Sequence, residues 1–292
     1  MRPRNRIEPW LFLLPALTIY SFVVLVPVIW SLTYSFFNWK GIGAMKFCGF
    51  DNYVRMFTDR KMLISIQNNL FFMAVGTSVQ AFMGLLMATL LFNIRRGSNL
   101  LRVLYFIPNI ISSMAICKIF NLLLSVKPEG LLAAIVSALG GKPTPLLSDY
   151  NYALLIVTLV DAYKYCGLYM VIFYAAFMNI DHEIVDAAYI DGCSWWQQYI
   201  YIRLPLIRPI FFTVIVILVN GTLKGFDVSA ILTAGGPGTA TELVSTYMYK
   251  VAFASTNFGY GSTISMFLLV ESMIAVGIVR LIGRRSDNLA AQ

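Results

Sequence analysis

Six charged side chains lie inside long apolar stretches of this 292-residue chain: Lys118, Asp161, Lys164, Lys224, Asp227 and Glu271. Charged groups in apolar surroundings are costly, and they mark a functional site by default. They could form ion pairs between helices, such as Asp161 with Lys224 or Lys164 with Asp227. Alternatively, together with Asn220, they could line a water-filled cavity. Three positive and three negative charges balance, which suits a neutral, hydroxyl-rich solute better than an ion.

Residue patterns typical of catalysis or metal binding are absent from the sequence. The nearest approach to a phosphate-binding loop, residues 140–144, has Val136 at the first glycine position and Pro143 where magnesium needs a hydroxyl. His182 is the single histidine, which excludes a multi-histidine metal site. The four cysteines have no C-x-x-C spacing and predict no metal or disulfide framework. We therefore predict that the chain is not an enzyme and binds no cofactor itself.

The composition is that of a membrane protein. Hydrophobic residues make up 59% of the chain and charged residues 12%, whereas about 25% of a soluble domain is charged. The mean hydropathy is +0.73. The net charge of +8 is carried at the ends of apolar stretches and not on one continuous face, so nucleic acid is not a predicted partner. A soluble enzyme, a disordered tail and a disulfide-rich secreted scaffold are excluded.

Six stretches are long enough to cross a bilayer, which takes about 20 mainly apolar residues. The predicted fold class is all-α: a polytopic membrane protein with six transmembrane helices. Pro15, Pro27 and Pro108 lie inside spans and should kink them. The predicted organisation is a first helix and outer loop over 1–68, a five-helix core over 69–283 and a cytoplasmic tail over 284–292. The predicted spans are 10–37, 69–94, 103–124, 152–180, 206–232 and 262–282.

The basic residues favour both termini in the cytoplasm. Cytoplasmic loops carry an excess of Lys and Arg, and with the N-terminus inside, the inner segments hold more of them than the outer loops. The margin is modest, because the first outer loop alone is rich in basic residues. The inner basic residues are Arg2, Arg4, Arg6, Arg95, Arg96, Arg102, Arg203, Arg208, Arg280, Arg284 and Arg285.

The segment 181–205, between spans four and five, is predicted to contain a short cytoplasmic helix. Asp181 and Glu183 suit the helix N-terminus, where the helix dipole is positive. Small residues such as Ala187 allow close approach of another surface. Gly192 is typical of a helix end in the left-handed conformation. Pro205 stands where the next span begins.

This segment resembles the signature of the permease subunits of ABC importers, E-A-A-x3-G-x9-I-x-L-P. The matching residues are Asp186-Ala187-Ala188, Gly192 and Ile202-x-Leu204-Pro205, with Asp186 in place of the usual Glu. Other parts of the chain resemble the maltose-type carbohydrate uptake permeases in the same order. They are the 49–53 loop, residues 102–108 and the passage from Phe226 to Phe253. The chain is thus similar, almost end to end, to the inner membrane components of binding-protein-dependent transport systems.

The resemblance implies a type I ABC importer permease fold in the bacterial cell membrane, carrying a sugar or oligosaccharide. It implies a second homologous permease, two ATP-binding subunits that hold ATP and magnesium, an extracellular or periplasmic solute-binding protein and the lipid bilayer as partners. The loop around Gly236 is a candidate contact for the solute-binding protein. Coupling to the ATPase is implied for Glu183, Asp186, Ala187, Ala188, Asp191, Gly192, Ile202 and Pro205.

Two other functions remain open from the residues alone. A stand-alone ion-coupled transporter would move solute without an ATPase and would need Glu271 or Asp227 as a proton site. A membrane scaffold or sensor would transport nothing and would tolerate neutralisation of all six intramembrane charges.

Overall fold

The computed structural model describes residues 8–94 and 97–290, and their side chains over 12–94 and 97–284. Its architecture is all-α, as predicted. Contacts divide the chain into two units, one of Met1–Leu63 with Tyr247–Leu269 and the other of Ile64–Thr246 with Val270–Gln292. The predicted orientation rests partly on basic residues whose side chains the structure does not describe. They are Arg2, Arg4, Arg6, Arg95, Arg96 and Arg285.

The elements follow one another with short connections. An antiparallel hairpin that the sequence did not predict pairs β1 (Phe37–Asn38) with β2 (Lys46–Phe47). The helices are α1 Glu8–Tyr20, α2 Val26–Ser35, α3 Asp51–Thr58, α4 Arg60–Asn93, α5 Ser98–Ile110, α6 Ser113–Leu124, α7 Leu131–Ala138, α8 Ala153–Met178, α9 His182–Ile190, α10 Trp195–Gln198, α11 Leu204–Leu206, α12 Arg208–Leu223, α13 Asp227–Leu232, α14 Val244–Tyr249 and α15 Phe258–Ala290. Short π-helical turns span Ser21–Leu25, Tyr199–Arg203 and Lys250–Ala254, and a 3₁₀ turn spans Leu146–Ser148.

Among the described residues, five segments are long and apolar enough to cross a membrane. A sixth crossing is reached only when the bent pair α5 and α6 is counted as one span. With that count the number agrees with the prediction. The five segments are Phe12–Ser35, Arg60–Asn93, Ala153–Met178, Arg208–Leu232 and Phe258–Arg284.

The third predicted span, 103–124, is expected to be one kinked helix, and the structure corrects this to two helices joined at a sharp bend. Helices α5 and α6 meet at an angle of 96°. Sequence analysis placed the disturbance at Pro108, but α5 continues past it, and the break falls at Ile111 and Ser112, whose backbones are extended. The Ser112 hydroxyl accepts a hydrogen bond from the Ala115 N–H at 3.3 Å. Ser112 therefore caps α6 and starts a new helix, as serine commonly does.

Over Phe12–Ser35, the first span contains a π-helical turn and no break. Pro27 lies near the start of α2, and the turn just before it is π-helical. A proline ring cannot donate a hydrogen bond and crowds the carbonyl one turn earlier. A π turn accommodates one extra residue at such a point. The apolar side chains of this span, such as Phe12 and Phe22, are largely exposed, which suits contact with lipid.

Polar side chains of α3 and of Asp59, the residue that follows it, hold the segments of the first unit together. The Asn52 amide donates to the carbonyls of Ser35 and Phe37 at 3.0 and 3.1 Å. The Asp59 carboxylate accepts from the hydroxyls of Tyr247 at 2.5 Å and Tyr260 at 2.9 Å. Burial acts to raise the pKa of Asp59, but hydrogen bonds from the two tyrosines and two backbone N–H groups outweigh it, so the pKa lies below its ordinary value.

The second unit is built around α8, the most deeply buried of the five spans. One apolar cluster surrounds its C-terminal half and includes Phe173 and Phe177. The other surrounds its N-terminal half and includes Val157 and Val160. Between them, α8 carries Asp161 and Lys164, which are 8% and 5% exposed. The two apolar clusters thus leave a polar layer across the middle of the helix.

Candidate functional site

The fifth span is interrupted next to this polar layer. Sequence analysis predicted one helix over 206–232, but α12 ends at Leu223 and α13 begins at Asp227, so the continuous span is corrected to a broken one. Side chains from other segments satisfy the carbonyls that the break releases: the Asn69 amide donates to the Leu223 carbonyl at 3.2 Å, and the Ser245 hydroxyl donates to the Gly225 carbonyl. Irregular backbone at membrane depth is tolerated where such partners exist or where it lines a cavity.

A cavity of about 300 Å³ lies against the broken segment. It combines two carboxylates, one ammonium group, one amide and three aromatic rings with open backbone at two glycines. Residues from α4, α8 and the break line it: Gln80, Asp161, Tyr165, Tyr169, Gly221, Thr222, Lys224, Gly225, Phe226 and Asp227. Such a set offers hydrogen bonds to hydroxyl groups and flat apolar faces, with no nucleophile held beside a base. The described residues also contain no group of three side chains able to hold a metal ion.

Neutral side chains contact the charges at this site. The Gln80 amide donates to the Asp161 carboxylate at 3.1 Å. The Lys164 ammonium group donates to the Ser113 hydroxyl, which donates in turn to the Asp227 carboxylate at 3.1 Å. Ser113 thus bridges the cation of α8 and the carboxylate at the start of α13.

The ion pairs considered from the sequence are absent. No direct pair of Asp161 with Lys224, or of Lys164 with Asp227, occurs within the described part of the chain. Asp227 is exposed and lines the cavity. Because neither lysine pairs directly with its carboxylate, the carboxylate can still accept hydrogen bonds from a solute.

The predicted short helix of segment 181–205 is present as α9. Asp181 is its N-cap, and its carboxylate accepts a hydrogen bond from the Glu183 N–H at 3.0 Å. At the other end, the Cys193 N–H donates to the Ala188 carbonyl at 3.0 Å and the Gly192 N–H donates to the Tyr189 carbonyl at 3.1 Å. This pair of bonds is a Schellman motif, which needs a left-handed residue. Gly192 supplies it with φ of +79°.

The segment after α9 is anchored to the end of α4. Ser194 and Gln197 form a capping box at the start of α10. The Trp195 indole N–H donates to the Asn93 side-chain oxygen at 2.9 Å, and the Tyr199 and Thr89 hydroxyls lie 2.8 Å apart. The rings of Trp195 and Tyr199 stack with centroids 5.3 Å apart. The bonds to α4 hold α9 and α10 in place against the spans.

The surface of α9 differs from the sequence interpretation in one respect. Ala188 was grouped with Ala187 on a contact face, but Ala188 is buried within the chain and Ala187 is exposed. Two large side chains that sequence analysis did not single out, Tyr189 and Ile190, are 76% and 83% exposed. An apolar surface on a short, capped helix is therefore available for another chain.

Comparison with known proteins decides the family. Residues 80–288 match the family described as the binding-protein-dependent transport system inner membrane component. The chain belongs to this family. A relative from Bacillus subtilis, the probable ABC transporter permease protein YurN, is 32% identical over 276 residues, covering 92% of this chain and 94% of the relative. The lactose transport system permease protein LacF of Rhizobium radiobacter is 30% identical, covering 92% of this chain and 91% of the relative.

The fold of this permease is also found in a solved transporter. A chain of a bacterial ABC transporter involved in the import of the acidic polysaccharide alginate superposes with a TM-score of 0.84 at 22% identity, covering 95% of both chains. The predicted importer permease fold is thereby confirmed. So is the prediction that the chain is a membrane transport subunit and not an enzyme. The alternative of a stand-alone ion-coupled transporter finds no support.

The structure brings some of the predicted pathway residues of this permease together and leaves others apart. Asp161, Lys224 and Asp227 line the cavity, and Lys164 reaches it through Ser113. Lys118, Asn220 and Glu271 do not line it. Lys118 is exposed on α6, and one carboxylate oxygen of Glu271 is buried without a hydrogen-bond partner among the described residues.

The predicted coupling residues of this permease are grouped along one stretch. Five of them are exposed on or beside α9, at Glu183, Asp186, Ala187, Asp191 and Gly192. Ile202 lies in the following π turn and Pro205 in α11, where the chain returns toward α12. Their contact with an ATP-binding subunit stays a prediction.

Sequence reasoning missed the uncharged half of the cavity of this permease. Gln80, Tyr165, Tyr169 and Ser113 carry no charge, so nothing distinguished them from residues that join helices by hydrogen bonds. A usable signal was present on α8, since Asp161, Tyr165 and Tyr169 follow one another at intervals of four and therefore share one face of the helix.

Proposed function

We propose that this permease forms half of the pathway for a neutral sugar or oligosaccharide. The observation that supports it is the cavity beside the broken fifth span, whose lining contains carboxylate, amide and ammonium groups together with aromatic rings. Asp161 and Asp227 are offset by Lys164 and Lys224, so the local charge sums to zero. Relatives named for lactose, for alpha-glucosides and for starch degradation products are consistent with a neutral carbohydrate.

We propose the same subunit arrangement that the resemblance implied. A second homologous permease completes the pathway, two ATP-binding subunits hold ATP and magnesium, and a solute-binding protein outside the membrane delivers the sugar. Both termini lie in the cytoplasm, which places α9 on the side where ATP is available. A solved bacterial alginate ABC transporter in complex with an alginate pentasaccharide-bound periplasmic protein contains a chain that superposes with a TM-score of 0.85, which supports the role of a binding protein.

We propose that α9 transmits closure of the ATP-binding subunits to the spans. Tyr189 and Ile190 would enter a cleft of the ATP-binding subunit, with Glu183 and Asp186 beside cations of that subunit. The bonds from Trp195 to Asn93 and from Tyr199 to Thr89 would pass the movement to α4. α9 leads on through α10 and α11 to α12, so the cavity segment 221–227 moves with it.

The test is uptake by the complete transporter reconstituted in proteoliposomes with its binding protein. We expect transport of a neutral oligosaccharide that requires ATP on the inside and a loss of transport affinity in Asp161→Asn. Lys118→Gln is a matched control, because Lys118 is exposed and does not line the cavity. Transport without ATP would overturn the importer assignment. Transport of an acidic oligosaccharide in preference to neutral ones would overturn the proposed substrate class.

A further inference from the structure

Helix α3, in the first unit, has three distinct faces. Asn52 and Met56 form a buried face and are 8% and 2% exposed. Asp51, Arg55 and Thr58 form a polar, exposed stripe at intervals of four and three residues. A third, apolar face is formed by Phe50 at the helix start and by Val54 and Phe57, which are 69%, 62% and 59% exposed. An isolated exposed apolar side chain needs no explanation, but a continuous stripe of them does.

The buried face fixes the direction in which the apolar face points. Asn52 donates two hydrogen bonds to backbone carbonyls at the end of the first span, Ser35 and Phe37. The Arg55 guanidinium lies over the Tyr260 ring, 4.3 Å from its centroid. These contacts prevent α3 from rolling to bury its phenylalanines, so the exposed face is a fixed feature of the fold.

The position of α3 limits what can cover that face. The first span ends at Ser35 and the next begins at Arg60, so α3 lies between two membrane crossings at the same bilayer surface. The hairpin before it adds exposed apolar side chains at Ile42 and Phe47. The side chains of the first span are exposed as well, so the apolar surface continues from the span to the connection.

We propose that the apolar face of α3 is immersed in the outer leaflet of the bilayer, with phospholipid as its partner. A helix with one apolar and one polar face lies in the interface plane with its apolar side about 5–10 Å into the headgroup and acyl boundary. The polar stripe of Asp51, Arg55 and Thr58, about a quarter turn away, then lies level with the headgroups and water. A protein partner is disfavoured by the size of this face. A stable protein interface buries about 800 Å² on each side, whereas this face consists of only a few side chains.

The experiment measures the depth of single tryptophans in the complete transporter reconstituted in phosphatidylcholine vesicles. Phe57→Trp places an indole on the apolar face, and Thr58→Trp, one residue along, places it on the polar stripe. Bromine atoms on the lipid acyl chains quench a nearby indole. After subtraction of the signal of the unsubstituted transporter, which contains the five native tryptophans of this chain and those of the other subunits, we expect several-fold stronger quenching at 57 than at 58. Equal quenching at the two positions would overturn the proposal.

A second measurement separates lipid from protein as the partner. A benzophenone side chain at position 54 is activated by light in the same vesicles, with and without the solute-binding protein. We expect adducts with phospholipid that the solute-binding protein does not diminish. Adducts with the solute-binding protein or another subunit would overturn the proposal. The benzophenone variant is used only if its thermal unfolding temperature matches that of the unsubstituted transporter, and Phe57→Trp serves where it does not.

Discussion

Ser113 lies between Lys164 and Asp227, two residues that the sequence analysis considered as one of two alternatives, an ion pair or part of a cavity lining. A hydroxyl can accept from one group and donate to another, so one serine satisfies both Lys164 and Asp227. A direct ion pair would have tied the carboxylate to a single cation. Through the hydroxyl, the carboxylate keeps free acceptor positions facing the cavity. A charge balance counted from the sequence therefore describes the site correctly in sum but does not identify the contacts.

Ser113→Ala is expected to remove one of the two hydroxyl acceptors of Lys164 and to leave the other, the Tyr165 hydroxyl at 3.2 Å. A hydrogen bond to a charged group contributes about 1.5–3 kcal/mol, so the thermal unfolding temperature should fall and the KM for uptake should change. Ser113→Thr keeps the hydroxyl and is the matched control. Thermal unfolding and uptake kinetics of the reconstituted transporter measure the two effects. Alanine and threonine variants that behave alike would show that the bridge contributes nothing.

Gly192 ends α9 with a left-handed backbone, φ +79°, and a side chain there would meet no neighbouring atom. The cost of substitution is therefore conformational, about 1–2 kcal/mol for an ordinary residue. Gly192→Val is expected to distort the end of α9 and to uncouple ATP hydrolysis from uptake while membrane insertion is unaffected. Gly192→Asn should retain coupling, because asparagine tolerates this conformation. The ratio of ATP hydrolysed to solute imported measures the coupling. Normal coupling in Gly192→Val would contradict the role that we give to the end of α9.

The lowered pKa of Asp59 predicts a pH dependence of stability. A carboxyl group whose pKa is lower in the folded state than in the unfolded state stabilises the fold at pH values above its ordinary pKa. This stabilisation is lost as the pH falls through the pKa of the folded state. The unfolding temperature of Asp59→Asn should therefore lie below that of the unsubstituted protein at pH 5 to 8, with a gap that closes below about pH 4. Glu129→Gln, at an exposed carboxylate, should show no such gap. A gap that widens in acid would contradict the assignment.

At the scale of elements, hydrophobic length was sufficient to predict the crossings, and local chemistry was needed to predict their breaks. Apolar runs place all six segments, because a bilayer requires about 20 such residues whatever their neighbours. The break after Leu223 depends on Asn69 and Ser245, more than 150 and about 20 positions away, which supply hydrogen bonds to the freed carbonyls. No local pattern reports such distant partners.

The same contrast holds for the site. The end of α9 could be predicted because Asp181 and Gly192 act on their own backbone. The cavity could be predicted only in its charged members. Gln80 reaches Asp161 from a helix that is remote in sequence, and an uncharged glutamine in a span gives no indication of the partner it will have.

Gly167 allows α5 and α8 to approach closely. A side-chain carbon at this glycine would collide with the backbone carbonyl of Tyr105. Gly167→Ala is expected to force the two helices apart and to lower the free energy of unfolding by about 1–3 kcal/mol, as overpacking does. Gly277→Ala, in α15 with nothing near its added carbon, is the matched control and should leave stability unchanged or higher. Thermal unfolding in detergent tests both, and equal melting of the two variants would contradict the close approach.

At the scale of the whole molecule, we propose that the chain provides one wall of a pathway and a separate surface that receives force from the ATP-binding subunits. The cavity is lined by α4, α8 and the broken fifth span, and the surface of α9 lies beyond the ends of those helices. The family is described by its place in binding-protein-dependent transport systems, and the relative YurN matches over 92% of this chain. The polar cavity and the capped helix are therefore two parts of one transport subunit.

The right-angled bend between α5 and α6 has a consequence for biosynthesis. The two helices have 13 and 12 residues and extend about 20 and 18 Å, short of the roughly 30 Å of hydrocarbon that a released segment must cross. Neither half can leave the insertion machinery alone without exposing the extended backbone at Ile111 and Ser112 to lipid. The pair has to wait for α8, whose Gly167 receives the backbone of Tyr105, and for α13, which packs on α6. We therefore expect membrane integration of this chain to be completed only after α13 has been made, when more than two thirds of the polypeptide exists.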